Sequence, residues 1–131
     1  MTKTLTLVAY MALLTWIMLL VASLVRARGW RLDGILVAFG NRDNLPESTP
    51  LAGRAERTAR NTLENFVLFA ALALIAHVTG AVNSQVELGA QLFFWARVLY
   101  IPIYLAGITY FRTAVWLVSV VGLGMIFAAI V

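Results

Sequence analysis

The sequence contains no cysteine, and this absence removes several kinds of chemistry. A chain without cysteine has no disulfides, no thiolate metal ligands and no cysteine nucleophile. Charged residues are also scarce: they make up 12% of the 131 residues, whereas 62% are hydrophobic and the mean hydropathy is +0.88. A soluble domain of this size needs many more polar side chains to cover its surface. The composition therefore predicts an integral membrane protein.

Four long apolar segments follow one another along the chain. They cover about residues 5–25, 50–80, 87–110 and 113–131. The second has a cytoplasmic extension at its start, and its apolar part begins at about residue 61. The apolar part of each segment is near the roughly 20 residues that cross a hydrocarbon core. The first is too long for the apolar region of a cleaved signal peptide, so we interpret it as a membrane helix. We predict an all-α fold, a membrane four-helix bundle forming a single domain over residues 1–131. The connection before the fourth segment is very short, which predicts that the last two helices are antiparallel neighbours.

Positive charge is concentrated between the end of the first segment and residue 61, where the apolar part of the second segment begins. Seven arginines lie there: Arg26, Arg28, Arg31, Arg42, Arg54, Arg57 and Arg60. Residues 81–86, between the second and third segments, include no lysine or arginine, and Arg112 lies between the third and fourth. The positive-inside rule then places the first and third connections in the cytoplasm. The net charge of +4 is explained by this topology, and we predict no nucleic-acid partner.

The second segment begins with a strong helix signal and carries a polar stripe. Thr49 and Pro50 are typical of an N-cap followed by proline at the first helical position. A helix from there to residue 78 would have about 29 residues and extend beyond the membrane on the cytoplasmic side. Arg57, Asn61 and Glu64 lie at i, i+4 and i+7, on one face of that helix. Polar groups on one stripe at the membrane indicate a partner or a cavity.

A second constellation lies in the third segment. Arg97, Tyr100 and Tyr104 are at i, i+3 and i+7, again on one helical face. Arg97 is too far from either membrane surface for its guanidinium to reach water. We therefore expect a counter-ion, and Glu64 on the neighbouring helix is the natural candidate. The small residues Ala76 with Gly80, and Gly124 with Ala128, are expected to permit close helix contact.

Together these two constellations resemble one family. The pattern Glu-Arg-x-x-x-Asn-x-x-Glu-x-Phe matches Glu56, Arg57, Asn61, Glu64 and Phe66, and Arg-x-x-Tyr-x-x-x-Tyr matches Arg97, Tyr100 and Tyr104. Both are similar to motifs of the membrane-associated proteins in eicosanoid and glutathione metabolism, the MAPEG family. The resemblance covers nearly the whole chain. It also makes Arg112 the counterpart of an arginine near the start of the family's fourth helix.

The resemblance implies a homotrimer that binds glutathione, as co-substrate, between adjacent subunits near the cytoplasmic face. The second substrate would be a lipophilic electrophile that enters from the membrane lipid. The expected location is a bacterial inner membrane, as a multi-pass protein. The resemblance assigns glutathione binding to Arg57, Asn61, Glu64, Arg97, Tyr100 and Arg28, and stabilisation of the reactive thiolate to Arg112 and Tyr104. Arg26 is an alternative to Arg28 as the contribution of a neighbouring subunit.

Other interpretations remain open at this point. Asn65 and Val67 depart from the tyrosine and proline that often follow the family's glutamate. The family also includes a non-catalytic lipid-binding member, so a binding or scaffold protein is the main alternative to an enzyme, and a proton-coupled transporter is a third. Arginines of the second segment could be interface anchors, and the tyrosines could be packing residues. Trp116 is interpreted as a lipid-facing or interfacial packing residue. No metal site is expected.

Overall fold

The computed structural model describes residues 1–43 and 45–131. Helices α1 (Lys3–Ala27), α2 (Leu32–Phe39), α3 (Pro50–Val78), α4 (Ser84–Leu105) and α5 (Tyr110–Ile130) follow one another in the chain. All of these except α2 are long and apolar enough to cross a membrane. The most extensive packing joins α4 to α5, followed by α1 to α3. The predicted all-α membrane four-helix bundle is confirmed, as is the close pairing of its last two helices.

Local capping explains where α3 and α4 begin. The Thr49 side chain accepts a hydrogen bond from the Ala52 amide at 3.1 Å, with Pro50 at the first helical position. The Asn83 side chain accepts one from the Val86 amide at 3.0 Å at the start of α4. These bonds satisfy amide groups that have no partner inside the helix. The helix from residue 50 to residue 78 is therefore present with the limits that the sequence indicates.

The short connections differ in detail from the sequence interpretation. Helix α5 begins at Tyr110, three residues before the predicted start, so Arg112 lies in the first helical turn. Helix α2 was not predicted, because eight residues are too few to span a membrane and Gly34 lowers helix propensity. Gly34 is buried, and a Cβ atom at that position would lie 1.8 Å from the Arg28 carbonyl oxygen. Packing of α2 against the end of α1 thus requires Gly34, the same residue that made α2 difficult to predict from the sequence.

Two glycines bring α4 and α5 together. A Cβ atom at Gly122 would lie 2.5 Å from the Gly89 carbonyl oxygen, and one at Gly89 would lie 2.7 Å from the Gly122 carbonyl oxygen. Nothing lies within 4 Å of a Cβ placed on Gly124, and Ala128 is exposed. Within one chain, Gly124 and Ala128 therefore do not mediate helix contact. The contact of α5 with α4 uses Gly122, which lies on a different face of α5 because two residues correspond to about 200° of rotation.

Candidate active site

A polar cleft lies where α3, α4 and α5 meet, near the end of α4 and the start of α5. Its volume is about 320 Å³, within the range of small-molecule sites. Nine residues line it: Arg57, Arg60, Asn61, Glu64, Tyr100, Tyr104, Arg112, Thr113 and Trp116. We call this feature the polar cleft. It combines cationic, anionic, amide and phenolic groups, so it can bind a ligand that carries charges of both signs.

The polar cleft brings together six of the eight predicted site residues. They come from three helices: Arg57, Asn61 and Glu64 from α3, Tyr100 and Tyr104 from α4, and Arg112 from α5. Helical periodicity places each group on one face, and the packing of the three helices turns those faces toward each other. Residues separated by up to 55 positions in the chain thus share one cavity.

Tyr104 is the centre of this arrangement. Its hydroxyl accepts a hydrogen bond from Arg57 Nε at 2.9 Å. The Arg112 guanidinium carbon lies 4.5 Å from the centre of the same ring, and that of Arg57 lies 6.0 Å away. Two cations therefore act on one phenol from different directions. Because the hydroxyl already accepts from Arg57, its own hydrogen is left to donate into the polar cleft.

Arg97 lies behind this site and does not line it. It is fully buried, with its guanidinium carbon 4.2 Å from the centre of the Tyr100 ring. Its Nη2 donates to Thr62 Oγ1 at 3.2 Å, while Nε and Nη1 have no partner among the described residues. Tyr100 therefore separates Arg97 from the polar cleft. The structure does not bring Arg97 to a position where, within this chain, it would contact a ligand in the cleft.

The prediction of an ion pair between Glu64 and Arg97 is wrong. The ion pairs of the described residues are Arg31 with Asp33 and Arg60 with Glu56, both at 3.4 Å. Arg97 contacts Thr62, and Glu64 lies two residues further along α3, about 200° around the helix axis. Glu64 is consequently exposed in the polar cleft, where its carboxylate is available to a ligand.

A comparison with protein families completes the identification of the fold. The model of the MAPEG family matches residues 4–131, which is nearly the entire chain. The chain belongs to the MAPEG family. Comparisons with curated proteins and with solved structures give no match. Membership and the four apolar helices together make this an integral, multi-pass membrane protein.

Arg28 is the second predicted site residue that lies outside the polar cleft of this MAPEG chain. It forms the left-handed cap of α1, with φ of 56°, and lines a separate hollow beside Asp33 and Gly34. Arg26, the alternative, donates to the carbonyl oxygen of Pro46 and ties the first connection to the end of α1. Neither side chain reaches the polar cleft of its own chain, so a role in that cleft requires a neighbouring subunit.

Three lining residues were missed or interpreted differently from the sequence. Arg60 follows Arg57 by three positions and Trp116 follows Arg112 by four, and both spacings are close to one helical turn. Thr113 directly follows Arg112 and had no such signal. Trp116 was interpreted as a lipid-facing or interfacial packing residue, yet it forms part of the cleft wall. The spacing from Arg112 was the available signal, but it could be used only once the start of α5 was known.

Asn65, which departs from the MAPEG pattern, has a clear structural role. Its Nδ2 donates to the Asn61 carbonyl oxygen at 2.9 Å and to Asn61 Oδ1 at 3.3 Å. The second of these bonds leaves the Asn61 NH₂ group as a donor toward the cleft. A tyrosine at this position could not make the same amide-to-amide bond. Asn65 therefore orients Asn61 and does not itself contact a ligand.

Arg54 stabilises the junction that carries the site. Its Nε donates to the Leu105 carbonyl oxygen at 3.0 Å, at the last residue of α4. A cation at a helix C-terminus satisfies an unpaired carbonyl and interacts favourably with the helix dipole. Arg54 is thus more than the interface anchor considered from sequence: it joins the beginning of α3 to the end of α4, beside Tyr104.

Proposed function

We propose that this MAPEG protein is a glutathione-dependent membrane transferase or peroxidase that acts on lipophilic electrophiles. The observation that carries the proposal is the convergence of Arg57 and Arg112 on the Tyr104 phenol, in a cleft that also holds Asn61 and Glu64. Glutathione has two carboxylates, one ammonium, two amides and one thiol. The polar cleft offers a complementary group for each of them.

The binding role falls to the α3 wall. Arg57 and Arg60 can each form charge-assisted hydrogen bonds with a carboxylate of glutathione. Glu64 is exposed in the cleft and supplies the negative charge that an ammonium requires. Asn61, oriented by Asn65, presents a donor to a peptide carbonyl. The carboxylates and the ammonium of glutathione therefore each have an oppositely charged partner without the participation of Arg97.

The chemical role falls to Arg112 and Tyr104. The thiolate is the nucleophilic form of glutathione, and a neighbouring guanidinium favours it over the thiol. Arg112 supplies that charge, and the Tyr104 hydroxyl supplies a hydrogen bond to sulfur. In conjugation, the sulfur attacks an electrophilic carbon, a carbon–sulfur bond forms, and the leaving group departs with the bonding electrons. In peroxide reduction, the sulfur attacks one oxygen of the peroxide, the oxygen–oxygen bond breaks, and the other oxygen leaves as an alkoxide that takes a proton to become the alcohol. The thiol of a second glutathione then attacks the resulting sulfenic acid, giving the disulfide and water.

The lipophilic substrate would approach along α5. The wall of the polar cleft changes there from Arg112 through Thr113 to the indole of Trp116, so it becomes less polar toward the middle of the bundle. An apolar electrophile in the bilayer could meet the sulfur at that boundary. We propose a homotrimer for the assembly, with the polar cleft near the cytoplasmic face of a bacterial inner membrane and with Arg28 of a neighbouring subunit completing it.

Thermal stability and turnover of the purified protein test the proposal. Glutathione should raise the Tm in detergent, show the ultraviolet absorbance of a bound thiolate, and form a conjugate with a generic electrophile such as a chloronitrobenzene. A Tm that rises with another low-molecular-weight thiol but not with glutathione would change the co-substrate. Binding of glutathione without thiolate absorbance and without turnover would overturn the enzyme proposal in favour of a binding protein.

A further inference from the structure

Helix α2 presents a stripe of large apolar side chains that no other part of the described chain covers. Leu32, Ile35, Leu36 and Phe39 lie at i, i+3, i+4 and i+7, which places them on one helical face. Their exposed fractions are 76%, 39%, 67% and 87%. We call this feature the α2 stripe. A contiguous apolar surface of this kind marks a site of interaction, because isolated exposed side chains are common but aligned ones are not.

The opposite face of α2 is attached to α1. Gly34 packs so closely on the end of α1 that an added Cβ atom would lie 1.8 Å from the Arg28 carbonyl oxygen. Val37, one turn later, lines the same hollow as Ala27 and Arg28. Among the described helices, α2 packs only against α1. The α2 stripe therefore points away from the bundle, and its direction is determined by the attachment of Gly34.

The height of α2 relative to the membrane follows from Arg42. Its Nη2 donates to Ser23 Oγ at 2.6 Å, and its Nε donates to the Ala38 carbonyl oxygen at 3.3 Å. Ser23 lies four residues before the end of α1, or about 6 Å along the helix axis. The end of α2 is thus held level with the last turn of the spanning helix α1. A segment at that level lies at the boundary between lipid and water.

We propose that α2 is an interfacial helix whose stripe inserts into the bilayer surface. The occupant of the α2 stripe is the region between headgroups and acyl chains, where amphipathic helices bury their apolar face by about 5–10 Å. Two observations favour lipid over a protein partner. Helix α2 begins five residues after α1 ends, and the exposed Arg31 directly precedes it, where its guanidinium group can contact lipid phosphates. The inference concerns membrane contact and is independent of glutathione.

Site-directed spin labelling tests this placement, and the absence of native cysteine makes single labels unambiguous. Leu36→Cys carries the label on the α2 stripe, and Asp33→Cys is the control at the exposed charged position of the same helix, beside the stripe. Both variants are reconstituted in vesicles of phosphatidylcholine with one fifth phosphatidylglycerol. Relaxation of the label by oxygen, which partitions into lipid, is compared with relaxation by a water-soluble nickel chelate.

We expect the label at position 36 to be several-fold more accessible to oxygen relative to nickel than the label at position 33. Equally low ratios at the two positions would place the α2 stripe in water and overturn the proposal. A label at position 36 that neither reagent reaches would show that protein, such as a second copy of the chain, covers the stripe, and would overturn it too. Phe39→Cys, at the most exposed stripe position, repeats the measurement if Leu36→Cys folds poorly.

Discussion

At the residue scale, the polar cleft separates binding groups from the groups that would act on sulfur. Arg57 bonds the Tyr104 hydroxyl from the α3 side, whereas Arg112 lies over the ring from the α5 side. Each cation therefore supports the phenol in a different way. The first orients its oxygen, and the second adds positive charge next to the ring. Substitutions at these positions should affect affinity and chemistry separately.

Arg112→Leu should reduce chemistry more than binding. Glutathione carboxylates are proposed to bind Arg57 and Arg60, so affinity should change by less than threefold. The bound-thiolate absorbance and kcat should both fall, since each unit of lost thiol acidification corresponds to about 1.4 kcal/mol. Arg112→Lys is the control that retains positive charge and should preserve part of the signal. Full thiolate absorbance and kcat in Arg112→Leu would reduce this residue to a structural anchor.

Arg57→Ala should mainly weaken binding. Loss of a charge-assisted hydrogen bond in a partly buried site costs about 1.5–3 kcal/mol, which is roughly one to two decades in Kd. Asn61→Ala should cost less, because a neutral amide makes a weaker bond. Calorimetric titration with glutathione measures both. Tyr104→Phe removes the hydroxyl that Arg57 bonds but keeps the Arg57 cation. It therefore shows whether affinity depends on that hydrogen bond or on the charge of Arg57. Unchanged Kd in all three variants would show that glutathione does not bind on this face.

Because Arg97 is buried, substitutions of Arg97 and of its partner Thr62 should affect stability differently. Thr62→Val removes its hydrogen-bond partner and leaves the charge unpaired, which should lower stability by about 1–3 kcal/mol. Arg97→Met removes the charge itself and fills similar volume, so stability should be unchanged or higher. Turnover should still fall in Arg97→Met, because the Tyr100 ring loses the guanidinium packed 4.2 Å from its centre. Thermal unfolding in detergent compares the two; a larger loss in Arg97→Met would contradict this account.

At the scale of secondary structure, the site depends on how closely α4 and α5 approach. Gly89 and Gly122 allow backbone contact between them, and this contact places Arg112 beside Tyr104. Arg54 completes the junction by capping α4. The short α2, in contrast, is attached at one end of α1 and contributes no residue to the lining of the polar cleft. Helix packing and site geometry are thus linked at one pair of helices.

Gly122→Ala and Gly124→Ala form a matched pair for that packing. The added methyl at position 122 would lie 2.5 Å from the Gly89 carbonyl oxygen, so α4 and α5 must separate, at a cost of about 1–3 kcal/mol. At position 124 the space is open, and alanine should be neutral or stabilising by up to about 1 kcal/mol through its helix propensity. Thermal unfolding in detergent measures both. Equal effects of the two substitutions would contradict the proposed close contact.

At the scale of the whole molecule, the distribution of arginine predicts one orientation in the membrane. Ser48 lies in the arginine-rich first connection, and Ser84 begins α4 after a connection without basic residues. Ser48→Cys and Ser84→Cys should react with a thiol reagent from opposite sides of the membrane, with Ser48→Cys protected in intact cells from an impermeant reagent. Labelling of Ser48→Cys in intact cells would reverse the orientation and remove cytoplasmic glutathione as the source of ligand.

Much of this protein follows from local sequence. The apolar lengths determined the four spanning helices, Thr49 with Pro50 determined the start of α3, and periodicity grouped Arg57 with Asn61 and Glu64. These features depend on neighbours within about one helical turn, which a sequence displays directly. The family patterns then extended the site to Tyr100, Tyr104 and Arg112, which the structure brings into one cleft.

The tertiary structure alone decided how each helix is rotated against its neighbours. Periodicity shows which residues share a face but not what that face contacts, and a shift of two positions turns a side chain by about 200°. For that reason Arg97 meets Thr62 and not Glu64, and the helix contact uses Gly122 and not Gly124. Helix α2 depends on Gly34 fitting the end of α1, a contact between separate elements that local propensity cannot express.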